Sequence, residues 1–386
     1  MRKILAITTI RSDYDLMSGL YRLLNDASDI DLKLLVAGAH LSATYGNTVE
    51  LIKKDGFNIL LEVENLIDAN SQKSRLKTAS ILLQNSIDMV ASWKPDLILY
   101  AGDREDVLIG GMLGVFLNIP TIHFFGGDHE KDGHADTIIR HATSKLSTFH
   151  VVSIEKHKQR LLRMGEPANR IFVAGSIALD KFVMHRSRTF EEIRMLLPEG
   201  KKLNGYAMVI YHPVDQEKED AGIYLENILL ALTKLEIPAV ISYPNSDPGN
   251  HLIIDMIAKY ESDPAFWFYK SLDRETFLSL YKNSKFLIGN SSSGILEAAS
   301  IPLGVINVGL RQKGRYCGNN VLFCENGKEE IEKSIEKILS AILQNEIAEM
   351  KNPYGGGDSC NKVYKLIKMT NFSKFLKKTE DPLELI

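Results

Sequence analysis

The sequence predicts an α/β protein of two doubly wound domains, each a parallel sheet flanked by helices. Three observations carry that expectation. Short apolar runs recur along the 386-residue chain, each closed by small or polar residues and followed by a longer amphipathic stretch, which is the rhythm of β-α units. A charged passage, residues 181–205, interrupts that rhythm, after which strand-like runs resume. The residues just beyond the runs are Gly, Asp, Asn, Ser, His and Arg, and parallel sheets bind ligands at that edge.

In chain order, the first-half runs are residues 4–8, 32–37, 97–101, 121–125, 149–152 and 171–174, which make one sheet. The second half repeats the plan with 207–211, 239–242, 265–269, 286–288 and 303–306, separated by helical stretches such as 221–235. The expected domains are therefore 1–179 and 180–360. Residues 361–376 again read as helical, so 361–386 is expected to be a helix crossing back to the first domain, ending in a loose tail, TEDPLELI.

Composition narrows the function classes. A net charge of −3 with no long basic run gives no footing for nucleic acid or an anionic membrane. No apolar run approaches a membrane span, and polar residues from Thr8 onward end the N-terminal apolar stretch too early for a signal peptide. Cys317, Cys324 and Cys360 form no CxxC pair and fit reduced, structural thiols in a cytoplasmic setting.

The polar corners after the runs are Arg11-Ser12-Asp13, Gly38-Ala39-His40, Gly102-Asp103-Arg104, Gly126-Gly127-Asp128-His129, Gly175-Ser176, His212-Pro213, Asn245 and Asn290-Ser291-Ser292-Ser293. One such corner is ordinary turn chemistry, whereas eight point to a ligand edge. Around the last corner, the run 286–288 passes through Gly289 and the serines, and apolar periodicity resumes at Gly294. That order reads as strand, tight turn and helix N-terminus. A first helical turn offers unpaired N–H groups and a positive dipole end to a phosphate, with plain N-capping as the competing reading. Glu297 has no serine three residues before it, so it is expected to stand outside a capping box and to be open to ribose hydroxyls.

The densest polar constellation is 126–140, GGDHEKDGHADTIIR. Asp128, His129, His134 and Asp136 are the residues a metal would use, but their spacing matches no established ligand motif. Acid/base work and a merely solvated loop are the other readings. Asp136 and Arg140 stand four apart at the start of a helix predicted over 137–147, the spacing of an ion pair on one face. His212 precedes Pro213, which holds its backbone extended, and is read either as ligand-facing or as a buried, hydrogen-bonded ring. Arg11 follows the first strand, where a guanidinium can meet phosphate oxygens, and His40 sits after the second.

Taken together, RSDYD at Arg11, GAHLSATYGNT at Gly38, AGDRED at Ala101, DTIIRHATSKLS at Asp136, YHPV at Tyr211 and GNSSSGILEAASIPLGVINVGLRQKGR at Gly289 resemble the hydrolysing UDP-N-acetylglucosamine 2-epimerases of sialic-acid and related nonulosonic-acid synthesis. The resemblance runs from about Arg2 to about Lys365. It implies a glycosyltransferase-B-like fold of two Rossmann-type domains with an interdomain cleft, no metal or other cofactor, and a homodimer or homotetramer. The implied reaction removes the C2 proton, expels the nucleoside diphosphate to leave a 2-acetamidoglucal, and adds water to yield a mannosamine-type sugar. By the same resemblance Asp103 and Asp136 are catalytic carboxylates, His212 a catalytic or phosphate-contacting histidine, Ser291 and Ser292 diphosphate contacts, Glu297 the ribose contact, and Arg11 and Arg140 cleft arginines, while Arg311 lies in a matching motif.

One position departs from the family pattern. Where a glutamate commonly stands before the paired small residues, this chain has Phe125 before Gly126-Gly127. Either Asp128 or Glu130 is expected to supply the missing carboxylate, or Phe125 packs against a less polar sugar. UDP-N-acetylglucosamine is the first-choice substrate. A UDP- or GDP-linked 2,4-diacetamido-2,4,6-trideoxyglucose is the alternative, and a glycosyltransferase of the same fold is the rival activity.

Overall fold

The computed structural model describes all residues but 68–71, 130–134, 185–187, 196–200, 202, 215, 245–248, 271, 273 and 385–386. Glu130, His134 and Asn245, singled out above, lie outside the described residues. The chain divides into two compact units. The first takes Met1–His129, the stretch ending at Asp180 and the C-terminal segment from Gly357; the second runs from Lys181 to Gly356.

In the first unit, β1 (Arg2–Thr8), β2 (Ile30–Ala37), β3 (Ile59–Val63), β4 (Leu97–Ala101), β5 (Thr121–Phe124), β6 (Phe149–Val152) and β7 (Ile171–Val173) form a parallel sheet in the order β3-β2-β1-β4-β5-β6-β7. Both faces of the sheet are covered, which is why its central strands read as continuous apolar runs. Along β1 the side chains alternate: Ile4 and Ala6 join the core beneath the helix Arg11–Asn25, while Leu5 and Ile7 join the opposite one beneath the helix Glu105–Leu117. Strand order reverses between β1 and β4, so the turns after those strands flank a topological switch point.

The C-terminal segment belongs to this unit. The helix Ser359–Met369 is capped by Asp180, whose carboxylate accepts from the backbone N–H of Ser359 at 3.0 Å and of Cys360 at 2.7 Å. The helix is shorter than predicted and is followed by a separate turn, Phe372–Phe375. Within the tail Glu380 is anchored, pairing with the buried Arg170 at 3.1 Å, and just before it Lys378 donates to the buried Glu166 at 2.6 Å. The polar composition of TEDPLELI concealed this, because its anchors are charges on distant residues.

In the second unit, β8 (Ala207–Ile210), β9 (Ala239–Ser242), β10 (Phe266–Tyr269), β11 (Phe286–Gly289), β12 (Gly304–Val308) and β13 (Val321–Cys324) run parallel in the order β10-β9-β8-β11-β12-β13, with the switch between β8 and β11. The strands not foreseen are β3 and β13, the partly exposed outer strands of their sheets. The passage 181–205 holds the short helix Phe190–Arg194, opened by a Thr189/Glu192 capping box.

Candidate functional site

In the first unit the strand-end turns bring carboxylates together with two arginines. Arg140, on the helix Ala135–Leu146, is 5% exposed. Its guanidinium donates to Asp103, in the turn after β4, and lies 3.9 Å from the carboxylate of Asp128, in the turn after β5. Its Nε and Nη1 have no hydrogen-bond partner among the described residues, which is costly for a buried cation. Asp128 is placed by Gly127, whose φ of +76° allows the chain to turn and where a Cβ would meet the His157 carbonyl at 2.4 Å. The Asp128 carboxylate lies 3.3 Å from His157 Nε2, on the helix Glu155–Arg163, and accepts from the His129 backbone N–H at 2.8 Å.

A second arginine bridges the neighbouring pair. Arg75, from the helix Gln72–Trp93, donates to Glu105 at 2.6 Å and to Asp136 at 3.1 Å. The predicted pair of Asp136 with Arg140 is therefore replaced by two crossed bridges, Arg75 with Asp136 and Arg140 with Asp103. The reason is tertiary: the turn after β4 offers carboxylates to both arginines, at positions helical spacing does not reveal. His129 stacks on His141 with ring centroids 5.5 Å apart, beside this cluster.

At the switch point, Asp13 in the first turn after β1 and the buried Asp106 after β4 are close enough for their charges to repel. Burial first, and then the Asp106 charge, hold Asp13 well above the usual carboxylate range. Burial also pushes Asp106 up to about 6, against the opposing pull of Arg104. Arg11 is exposed at the same edge, with Asp15 at 3.6 Å. His40 does not reach that edge as a ligand group. It is fully buried, its Nε2 is 3.0 Å from Thr8 Oγ1 and its Nδ1 2.7 Å from Thr48 Oγ1, and burial lowers its pKa to about 4. Its ring fastens β1 to the turn after β2.

The second unit has its own polar edge. Gly289, at φ +139°, lets β11 pass so close to β8 that a Cβ would fall 2.0 Å from the Ile210 carbonyl oxygen. Asn290 then turns inward and is 1% exposed. Its carboxamide accepts from the His212 N–H and donates to the His212 carbonyl, each at 2.8 Å, while its own carbonyl accepts from Arg311 at 3.1 Å and Gln312 at 3.3 Å. Asn290 is thus a clamp that ties the ends of β8 and β11 to the Arg311 loop, and its side chain is not presented as a phosphate donor.

The helix here begins at Ser292, not Gly294, and is one short turn, Ser292–Leu296. Ser291 is its N-cap, accepting from Ser293 N–H at 3.2 Å. Glu297 is not left open, because the Ser293 hydroxyl donates to its Oε2. His212 is half-buried, and burial, followed by the Arg311 charge, lowers its pKa to about 4.

A family model described as UDP-N-acetylglucosamine 2-epimerase matches residues 22–368. The chain belongs to the UDP-N-acetylglucosamine 2-epimerase family. It is 37% identical over 376 residues to the UDP-N,N'-diacetylbacillosamine 2-epimerase (hydrolyzing) of Legionella pneumophila, covering 95% of this chain and 96% of that one. It is 30% identical over 359 residues to the UDP-N-acetylglucosamine 2-epimerase of Neisseria meningitidis, covering 93% and 92%. Among solved structures, the Neisseria meningitidis UDP-GlcNAc 2-epimerase bound to UDP-GlcNAc superposes with a TM-score of 0.74 at 16% identity, over 95% of this chain and all of that one. The Methanocaldococcus jannaschii enzyme in complex with UDP-GlcNAc and UDP gives 0.75 at 20%, again over 95% and 100%. These likenesses give this family member a glycosyltransferase-B-like fold.

Asp103, Asp128, Asp136 and Arg140 are gathered at one edge, as are His212, Asn290, Ser291, Ser292, Ser293, Glu297 and Arg311 at the edge of the other unit. Arg75, Asp106, His157 and Gln312 were not anticipated. Asp106 had a readable signal, a third acid in GDRED after a central strand, whereas Arg75 lies in a helix with no motif of its own. Among the described residues no helix is long and apolar enough to cross a membrane.

Proposed function

We propose that the chain is a hydrolysing 2-epimerase of a UDP-linked 2-acetamido sugar, working in the cytoplasm as a homodimer or homotetramer. The observation that carries this reading is the pair of carboxylates, Asp103 and Asp128, that Arg140 joins at the strand-end edge of a family member, with Asp136 four residues before Arg140 on the same helix and held by Arg75. A carboxylate takes the C2 proton, the C2–H electrons form the C1=C2 bond, and the C1–O pair leaves with the diphosphate. Water then returns a proton to C2 from the opposite face and a hydroxyl to C1.

Asp128 is the carboxylate we assign to the role left open by Phe125. It shares Arg140 with Asp103, whereas Phe125 packs against the first unit's core. Ser291, Ser292, His212 and Arg311 are assigned to the diphosphate, where charge grows as the bond breaks. Glu297, oriented by Ser293, is assigned to the ribose.

The sugar we favour is 2,4-diacetamido-2,4,6-trideoxyglucose, on the strength of the 37% identity to the Legionella enzyme. UDP-N-acetylglucosamine is the second reading, favoured by the 30% identity to the Neisseria enzyme. A comparison of kcat/KM for UDP release from the two nucleotide sugars separates them. The proposal expects the diacetamido sugar to lead by at least about tenfold, and a lead for UDP-N-acetylglucosamine would reverse the assignment.

A further inference from the structure

The turn that carries Asp103, the turn that carries Asp128 and the helical turn that carries Arg140 all reach one side chain. His123, in β5, is fully buried. Its Nε2 lies 2.9 Å from the carbonyl oxygen of Gly102, the residue before Asp103. The Gly102 N–H in turn donates to the Phe124 carbonyl at 3.2 Å, so β5 grips this residue by both backbone groups. On the other side of the ring, Nδ1 is 3.2 Å from Ser144 Oγ, and that hydroxyl is 3.0 Å from the carbonyl oxygen of Arg140. A Cβ on Gly126, two residues before Asp128, would come within 3.1 Å of both His123 Nδ1 and Ser144 Oγ. The Asp128 turn therefore rests on the same pair. Tyr100 packs against the ring at a centroid distance of 5.7 Å and is itself tied to Ser147 at 2.8 Å.

We infer that His123 is a positioning residue, which with Ser144 holds Asp103, Asp128 and Arg140 in one register for the reaction. The inference rests on the proposed role of those three side chains. Its chemistry follows from which partners can donate. Gly102 contributes only a carbonyl, so Nε2 must carry the ring proton. Burial keeps the imidazole neutral, pushing its pKa down to about 3, and leaves Nδ1 as a lone pair facing the Ser144 hydroxyl, whose single proton is shared between Nδ1 and the Arg140 carbonyl. The ring is thereby held in a single tautomer, and its rotation would release both turns. Because a misplacement of about 1 Å in a reacting group can cost about 10²-fold in rate, such an anchor acts on kcat while leaving substrate binding largely intact.

The test combines kinetics of UDP release with 15N–1H correlation of the histidine rings in the labelled full chain, the His123 signals being assigned by their loss in His123→Gln. At pH 7 the His123 ring should show a protonated Nε2 and an unprotonated Nδ1. His123→Leu should lower kcat by about 10²-fold with KM changed by less than about twofold. His123→Gln, whose amide can still donate to the Gly102 carbonyl, should recover about tenfold of that loss. A protonated Nδ1, or a folded His123→Leu protein whose kcat stays within about twofold of wild type or whose loss lies in KM, overturns the inference. If His123→Leu does not fold, Ser144→Ala decides: a kcat lowered by about tenfold at constant KM supports the anchor, and an unchanged kcat refutes it. Wild-type protein that releases no UDP from either sugar refutes the functional reading instead, and the ring spectrum then judges the anchoring alone.

Discussion

Arg140 concentrates the chemistry of the first unit in one side chain. It is buried, it meets two carboxylates from different turns, and part of its guanidinium has no partner among the described residues. Arg140→Met should therefore lower kcat by about 10²–10³-fold, the usual consequence of removing a pre-placed charge. A kcat within a few-fold of wild type would remove Arg140 from the site. Asp106 makes a different prediction. Its folded pKa of about 6 lies above its unfolded value, so the folded state binds the extra proton and its stability contribution is lost as pH rises from about 4 through 6. Asp106→Asn should raise the melting temperature at pH 7.5 and leave it unchanged near pH 4, which calorimetry can read. His40 has the opposite sign. Held at about 4 when folded, it lets the unfolded chain bind protons first, so it costs stability as pH falls below about 6.5. At this scale the sequence revealed which residue types stand at the strand ends but not which would be consumed internally. His40 and Asn290 look like ligand groups in a motif, yet the fold closes their side-chain polar atoms onto neighbouring backbone and hydroxyls.

At the scale of elements, the central strands were legible because burial on both faces demands unbroken apolar runs, and their turns were legible because only small and polar residues fit there. Outer strands β3 and β13 passed unnoticed. The turn after β11 shows what a motif conceals. GNSSSG signals strand, turn and helix, but Ser291 serves as the cap, Ser293 orients Glu297, and Asn290 clamps β8 to β11. Asn290→Ala would leave the His212 N–H and carbonyl without their partner. It should cost about 1–3 kcal/mol in denaturant unfolding and weaken UDP binding measured by calorimetry. Unchanged UDP affinity in a folded variant would separate this clamp from the nucleotide edge.

At the scale of the whole molecule, two doubly wound units were predicted from rhythm alone, and the charged passage marked the change from one to the next. The tail was misread because its anchor is a long-range charge pair, Arg170 with Glu380, supported just before the tail by Lys378 on Glu166. Deleting residues 371–386 strips partners from two buried charged groups and exposes Phe149, which packs on Phe372 at 5.4 Å. The loss should be about 3–5 kcal/mol, visible as an earlier unfolding midpoint, and an unchanged midpoint would show the tail to be dispensable. The central claim is that the gathered carboxylates abstract and return a proton at C2 while the diphosphate leaves. The most direct test is an NMR time course in deuterated water with UDP-linked 2,4-diacetamido-2,4,6-trideoxyglucose. The account predicts free UDP and a manno-configured sugar carrying deuterium at C2. Release of UDP with a gluco-configured sugar that retains its C2 proton would contradict it, because simple hydrolysis requires no proton transfer at that carbon.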